Sequence, residues 1–214
     1  MLTLYHYEIC PYCVRVRMML EACGFEYQLK ILHYDDKTTT QRLAHTNLAP
    51  ILALSDGTHL KESMDIVNYL VEKSNFTLAE HSLPQQISDA LQAVKGLRSR
   101  LFKPRFLSLN LQELETDSAQ AYFLTRWKMS REGITHELEQ TAAYIAQLTP
   151  QLAIISEALT SEHFVYGHWA RADIELFPSL RSLTCVKGLL FPERLNTYVN
   201  YHLAQAGLTP LPTV

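Results

Sequence analysis

The sequence predicts an α/β domain followed by an all-α domain, on three observations. A Cys-x-x-Cys tetrapeptide, Cys10-Pro11-Tyr12-Cys13, sits between an alternating run from Leu2 to Tyr7 and a helix-like run from Val14 to Cys23. A second alternating stretch, Phe25 to Leu32, completes a β-α-β unit of about 30 residues. Beyond Pro84 strand signals almost vanish, and apolar residues instead step by three and four. Ser74 to Pro84 is polar and aperiodic and is taken as the linker, which divides the chain into 1–73 and 85–214.

Each element has its own signal. Gly24 ends the first helix. Thr38 to His45 is a short, weakly helical stretch. Asn47 to Leu54 and His59-Leu60 flank Asp56-Gly57, a two-residue hairpin signal. Pro50 fits only the head of a strand or an edge, and sequence alone leaves its peptide isomer open. Ser63 is placed as the N-cap of an amphipathic helix from Ile66 to Val71, and that helix start is a second ready-made anion site.

In the second half, Ile87, Leu91, Val94, Leu97 and Leu101 form one apolar stripe. Phe123, Trp127, Ile134, Leu138, Ala142 and Ile145 form another, with Lys103 to Thr116 between them as a loop or broken helix. Pro150 is expected near the start of a further helix ending near Leu159. Trp127, Tyr122 and Tyr144 are expected in the core, as aromatics at helical spacing usually are. Before Ile174, Asp173 stands where a capping box has its acid, but the cap position is Ala170, which has no side-chain oxygen. Pro178 falls well inside that helix and should kink it.

Composition narrows the function classes. The 214 residues are 47% hydrophobic and 19% charged, ordinary for a folded chain with a sizeable core. With 19 basic and 22 acidic residues the net charge is −3 and no like-charge block stands out, which argues against nucleic acid. No apolar run approaches the ~18–20 residues of a membrane span. The first residues, Met1 to His6, lack the pattern of a signal segment. Four cysteines make no secreted disulfide framework, so the expected compartment is a reducing cytoplasm, where Cys-x-x-Cys is more often catalytic than structural.

The tetrapeptide itself points to thiol redox chemistry. At a strand-to-helix junction the first sulfur faces unpaired N–H groups and the positive end of the helix dipole, both of which favour thiolate. Pro11 suits the first helical turn, where its missing N–H costs nothing. Zinc would need a second ligand pair, and Cys23 and Cys185 do not form one. Haem attachment would need His where Val14 stands. A structural disulfide over so short a loop would restrict the unfolded chain little. Cys23 and Cys185 are expected to be small buried hydrophobes without a role, and Arg15 and Arg17 solvated surface.

These residues resemble the glutaredoxin 2 family. The resemblance rests on Cys10-Pro11-Tyr12-Cys13, Ala49-Pro50, Glu62-Ser63, Ile66 to Leu70 and Leu176 to Leu183, and covers nearly the whole chain. It implies a thioredoxin-like N-terminal domain joined to a helical domain of glutathione S-transferase type. It further implies a glutathione-dependent thiol–disulfide oxidoreductase, with Cys10 as the nucleophile and Cys13 as the resolving thiol. Tyr12, Ala49, Pro50, Glu62 and Ser63 would hold glutathione, with Ala49 pairing its backbone with the cysteinyl part and Glu62-Ser63 taking the γ-glutamyl end. Glutathione would be the cosubstrate, with no bound cofactor and no metal. Disulfide-containing or glutathionylated proteins would be the partners of a monomer. The competing readings are a glutathione transferase acting on electrophiles and a non-enzymatic interaction module.

Overall fold

The computed structural model describes all of residues 1–214. In chain order the first elements are β1 (Leu2–His6), α1 (Pro11–Ala22), β2 (Tyr27–Ile31), α2 (Lys37–Ala44), β3 (Ile51–Ala53), β4 (His59–Lys61) and α3 (Ser63–Glu72). The helices α4 (Gln85–Ala93), α5 (Lys95–Phe106), α6 (Asp117–Trp127), α7 (Arg131–Glu139), α8 (Thr141–Ala158), α9 (Arg171–Arg181) and α10 (Glu193–Gln205) follow. The chain divides into two compact units, Met1–Phe76 with Asn110–Met129, and Thr77–Leu109 with Ser130–Val214. Residues 110–129, in the helical half of the sequence, thus cluster with the sheet. No helix is long and apolar enough to cross a membrane.

The first unit is built on a four-stranded mixed sheet in the order β2-β1-β3-β4. The β1–β2 pair is parallel, with Leu4 opposite Leu29, as a β-α-β connection requires. The β1–β3 and β3–β4 pairs are antiparallel, with Leu4 opposite Leu52 and Leu52 opposite Leu60. Helices α1 and α3 pack on one another. Leu4, Met19, Leu20, Ile51, Leu52, Ile66 and Leu70 are sealed from solvent and form the core that fixes the start of α1. The hairpin loop is one residue longer than the two-residue turn expected. Leu54 N–H donates to Thr58 O at 2.8 Å, and Gly57 takes the left-handed φ of 88° that closes a three-residue loop.

The second unit is helical, and it departs from the expected boundaries. The apolar stripe from Ile87 to Leu101 is two helices, broken at Val94, and α5 runs on through Pro104 to Phe106. The stripe from Phe123 to Ile145 spans parts of three helices, α6, α7 and α8. Pro150 lies in the middle of α8, where the burial of Tyr144, Leu148, Leu152 and Ile155 outweighs one missing helix hydrogen bond. Residues within the stretch read as a linker are tied into this unit. Ala79 N–H donates to Trp169 O, and Ala79 O accepts from Arg171 N–H at 2.9 Å.

The absent hydroxyl at Ala170 is compensated by Asp173. Its Oδ2 accepts Ala170 N–H at 3.0 Å, and its Oδ1 accepts Val165 N–H at 2.9 Å and Tyr198 O–H at 3.2 Å. The Asp173 N–H, which a cap side chain would have taken, donates to Ala170 O instead. Half of the capping box therefore survives, reinforced by a loop and by α10. Among the aromatics, Tyr144 is buried as expected and Tyr122 is half-buried, whereas Trp127 is 39% exposed. Trp127 ends α6, and its Nε1–H donates to Tyr34 Oη at 3.0 Å in the first unit.

Candidate active site

Cys10 is the N-cap residue of α1, with extended φ and ψ of −82° and 117°, and Pro11 opens the helix. Val14 N–H donates to Cys10 O at 3.0 Å, which commits the first turn. Both cysteines are free thiols, Cys10 half-buried and Cys13 fully buried. The Cys13 thiol, hydrogen-bonded to the Cys10 sulfur, holds Cys10 below the ordinary cysteine pKa, and the Cys13 and Tyr12 amides add to the effect against burial. Cys13 goes the opposite way. Burial, and then its proximity to Cys10, push its pKa well above the ordinary value. One helical turn therefore separates a thiol whose pKa is lowered from one whose pKa is raised.

Tyr12 points out of this turn and is 54% exposed. It lines an open cleft of about 400 Å³ together with Ala49, Pro50, Glu62 and Ser63. Five of the seven expected site residues thus converge on one depression, while Cys10 and Cys13 lie outside its lining. The Ala49–Pro50 peptide is cis. Ser63 is not the N-cap of α3 but its first residue, and it is buried. Glu62 takes the cap position at φ 66° and ψ 112°, a conformation that costs a non-glycine residue about 1–3 kcal/mol. No side chain caps this helix, so its first N–H groups are unsatisfied from within.

Two cations on the cleft were not placed there by the sequence reading. Arg15, expected as surface, lies over the Tyr12 ring with its guanidinium carbon 5.0 Å from the centroid and shares the lining with Lys61. Their signal was present in the chain, one helical step after Tyr12 and one residue before Glu62. Arg17, also expected as surface, is buried, with Nη1 3.0 Å from Glu8 Oε2. Cys185 is buried as expected, its pKa pushed up to about 11 by burial. Cys23 is half-buried at the C-cap of α1.

Behind the sulfurs the site is closed by side chains that no local pattern marks. Tyr7 packs on Tyr34 with ring centroids 5.0 Å apart, and Tyr34 packs edge-on to Phe123 of α6. Burial first, and then the nearby Cys13, raise the Tyr7 pKa, so the phenol stays neutral. Glu113, in a short 3-10 turn at Gln112–Leu114, is fully buried, and its Oε1 accepts Ile9 N–H at 2.9 Å. His6, at the end of β1 that leads into the active-site loop, is buried too. No group of three or more His, Cys, Asp or Glu side chains is arranged to hold a metal ion.

Residues 4–80 match the family model for the N-terminal domain of glutathione S-transferase, and residues 86–212 that for the C-terminal domain of glutaredoxin 2. Glutaredoxin 2 of Escherichia coli K12 is 31% identical over 195 residues, 91% of each chain. The chain belongs to the glutaredoxin 2 family. The crystal structure of glutaredoxin 2 from Salmonella typhimurium in complex with glutathione superposes with a TM-score of 0.92 at 30% identity, covering 99% of this chain and 97% of that one. A glutathione transferase homologue from Sulfitobacter, with bound glutathione, is 15% identical with a TM-score of 0.60, covering 97% and 95%, and shares the fold. Within the glutaredoxin 2 family, then, the two-domain transferase-like architecture expected from the sequence is the one observed.

Proposed function

We propose that this protein carries out the thiol–disulfide exchange of the glutaredoxin 2 family, dependent on glutathione, through Cys10 as nucleophile and Cys13 as resolving thiol. The observation that carries the reading is the pair of free thiols one helical turn apart at the mouth of α1, Cys10 half-buried at the N-cap and Cys13 buried behind it. Cys10 thiolate attacks a disulfide and takes one half of it as a mixed disulfide, releasing the other half as a thiolate. Cys13, or a second glutathione, then attacks the Cys10 sulfur and frees the bound half. Glutathione supplies the electrons that restore the dithiol, so the cycle needs a cosubstrate and no bound cofactor.

The cleft suits glutathione on chemical grounds. The open N–H groups at the start of α3 would receive the γ-glutamyl carboxylate beside Ser63, while Glu62 would meet the ammonium group. Ala49 would pair its backbone with the cysteinyl residue, and Tyr12 would flank the peptide. The natural partners would be disulfide-containing or glutathionylated proteins met in a reducing cytoplasm, with the enzyme acting as a monomer.

A glutathione transferase would instead need a hydroxyl to activate the thiol of glutathione, and here a thiolate-prone Cys10 takes the helix mouth. Turnover of a small glutathione mixed disulfide, coupled to glutathione and its reductase, tests the reading. Cys10→Ser is expected to reduce turnover to background. Retained turnover in that variant would end the assignment, and unchanged conjugation of an electrophile would point to the transferase.

A further inference from the structure

The cleft at the mouth of α3 is more positive than the chain as a whole. Its lining holds two cations, Arg15 and Lys61, against one anion, Glu62, in a protein whose net charge is −3. Arg17, Arg100 and Arg171 are each paired with a glutamate, whereas neither Arg15 nor Lys61 has an ion-pair partner. The Arg15 guanidinium lies over the Tyr12 ring, its carbon 5.0 Å from the centroid, and its Nε is buried without a hydrogen-bond partner. Stacking of this kind holds the group flat and leaves its terminal N–H groups, the edge that grips a carboxylate, for a ligand. Lys61 ends β4, fixed opposite Ile51. A regular strand would send successive side chains to opposite faces, but the left-handed φ of 66° at Glu62 breaks that alternation, and residues 61–64 all reach the one cleft. Tyr12 and Leu48, 54% and 51% exposed, add apolar surface to the same lining.

Glutathione does not use all of this charge. It has two carboxylates and one ammonium group. In the placement proposed above, the γ-glutamyl carboxylate takes the open N–H groups of α3 and the ammonium takes Glu62. The glycine carboxylate takes one cation, and the planar fork of Arg15 is the better match. Lys61 is then left without an anion from the protein or from the tripeptide. Elsewhere on the surface a solvated lysine needs no partner. Here it lines the cleft that a partner protein must enter to deliver a disulfide, so its charge acts on that partner.

We infer that Lys61, aided by Arg15, selects partner proteins whose glutathionylated cysteine is flanked by acidic residues, a reading that rests on glutathione occupying the cleft as proposed. A carboxylate beside the modified cysteine meets Lys61, and the partner's apolar groups cover Tyr12 and Leu48. A basic flank would face two like charges, with Glu62 already engaged by the glutathione ammonium. The chemistry is the exchange given above. Cys10 thiolate bonds to the glutathione sulfur, the bond from that sulfur to the partner's cysteine breaks, and the partner's cysteine leaves as a thiolate that takes a proton from solvent. Lys61 acts on encounter and binding, so its effect is read in kcat/KM.

The test compares three glutathionylated peptides of equal length, with aspartate, asparagine or lysine on both sides of the modified cysteine. Their kcat/KM is measured on the full chain, with glutathione and its reductase, at about 50 and about 300 mM NaCl. Each rate is divided by the uncatalysed reaction with glutathione, so that the effect of the flanks on the peptide's own reactivity cancels. The wild-type protein is expected to prefer aspartate over lysine flanks about tenfold at the lower salt and about twofold at the higher. Lys61→Gln should cut the low-salt preference about threefold, and Lys61→Glu should abolish it. Lys61 is exposed, so neither change threatens folding. Equal rates for the three peptides in the wild type, or a preference left intact in both variants, would overturn the proposal. So would a fall in the variants that is the same for every peptide, because Lys61 would then serve glutathione itself. Turnover of a small glutathione mixed disulfide without flanking charges reads the activity separately. Its absence in the wild type would end the proposed function, whereas its presence with no charge preference among the peptides overturns this inference alone.

Discussion

Cys10 and Cys13 share a helical turn and differ in burial and in the hydrogen bond between them. Cys10 is half-buried at the N-cap, and Cys13 is sealed in the turn behind it. The hydrogen bond from Cys13 lowers the pKa of Cys10, and burial raises that of Cys13. A lowered folded pKa adds stability to the reduced protein above the unfolded cysteine pKa of ~8.5 and loses it as pH falls through the folded value. Alkylation of the reduced protein by iodoacetamide should accordingly show Cys10 reacting with a midpoint below ~8.5, with Cys13 unlabelled until the chain is unfolded. A Cys10 midpoint at or above that of free cysteine would remove the basis for its nucleophilic role.

At the scale of the element, the helix starts differ: in the first unit they open on the candidate site, and in the second one is closed by a buried carboxylate. The opening of α3 is left uncapped and faces the cleft, with Glu62 held in a left-handed conformation to turn the chain. The opening of α9 is closed on all sides, because Asp173 accepts the Ala170 and Val165 amides and the Tyr198 hydroxyl within a fully buried site. Asp173→Ala would leave those three donors unpaired, a loss of about 2–4 kcal/mol. Urea unfolding should show that loss, and Asp173→Asn should show less of it because one oxygen remains. An effect within about 0.5 kcal/mol for the alanine variant would mean that water replaces the carboxylate.

For the whole molecule, the consequential feature is that the first unit is not continuous in sequence. Phe123 and Glu113 return from residues 110–129 to cover Tyr34 and the Ile9 amide. A fragment ending at Pro84 would keep the dithiol motif and the sheet but uncover that aromatic wall. Its amide NMR spectrum is expected to be poorly dispersed, and its Cys13 thiol open to alkylation in the absence of denaturant. A dispersed spectrum with a protected Cys13 would show that the first 84 residues suffice.

Local patterns carried much of this protein. The Cys-x-x-Cys junction, the glycine stop with Gly24 at φ 71°, the hairpin at Gly57 and the helical character of the second half all depend on backbone preferences within a few residues. So did the cleft residues Tyr12, Ala49, Pro50, Glu62 and Ser63, which sit on element boundaries that the chain itself marks. What the tertiary structure decided was burial. Arg17 went inside because Glu8 pairs with it, Trp127 stayed half outside beside Tyr34, and Glu113 came in from 104 residues away. Periodicity reports which face of an element is apolar, but the solvent exposure of a charged group is set by whatever distant segment packs over it. Local backbone preferences therefore determined that two cysteines open α1, and only the fold decided that Glu113 would come to lie against the Ile9 amide beside them, because that contact joins segments 104 residues apart.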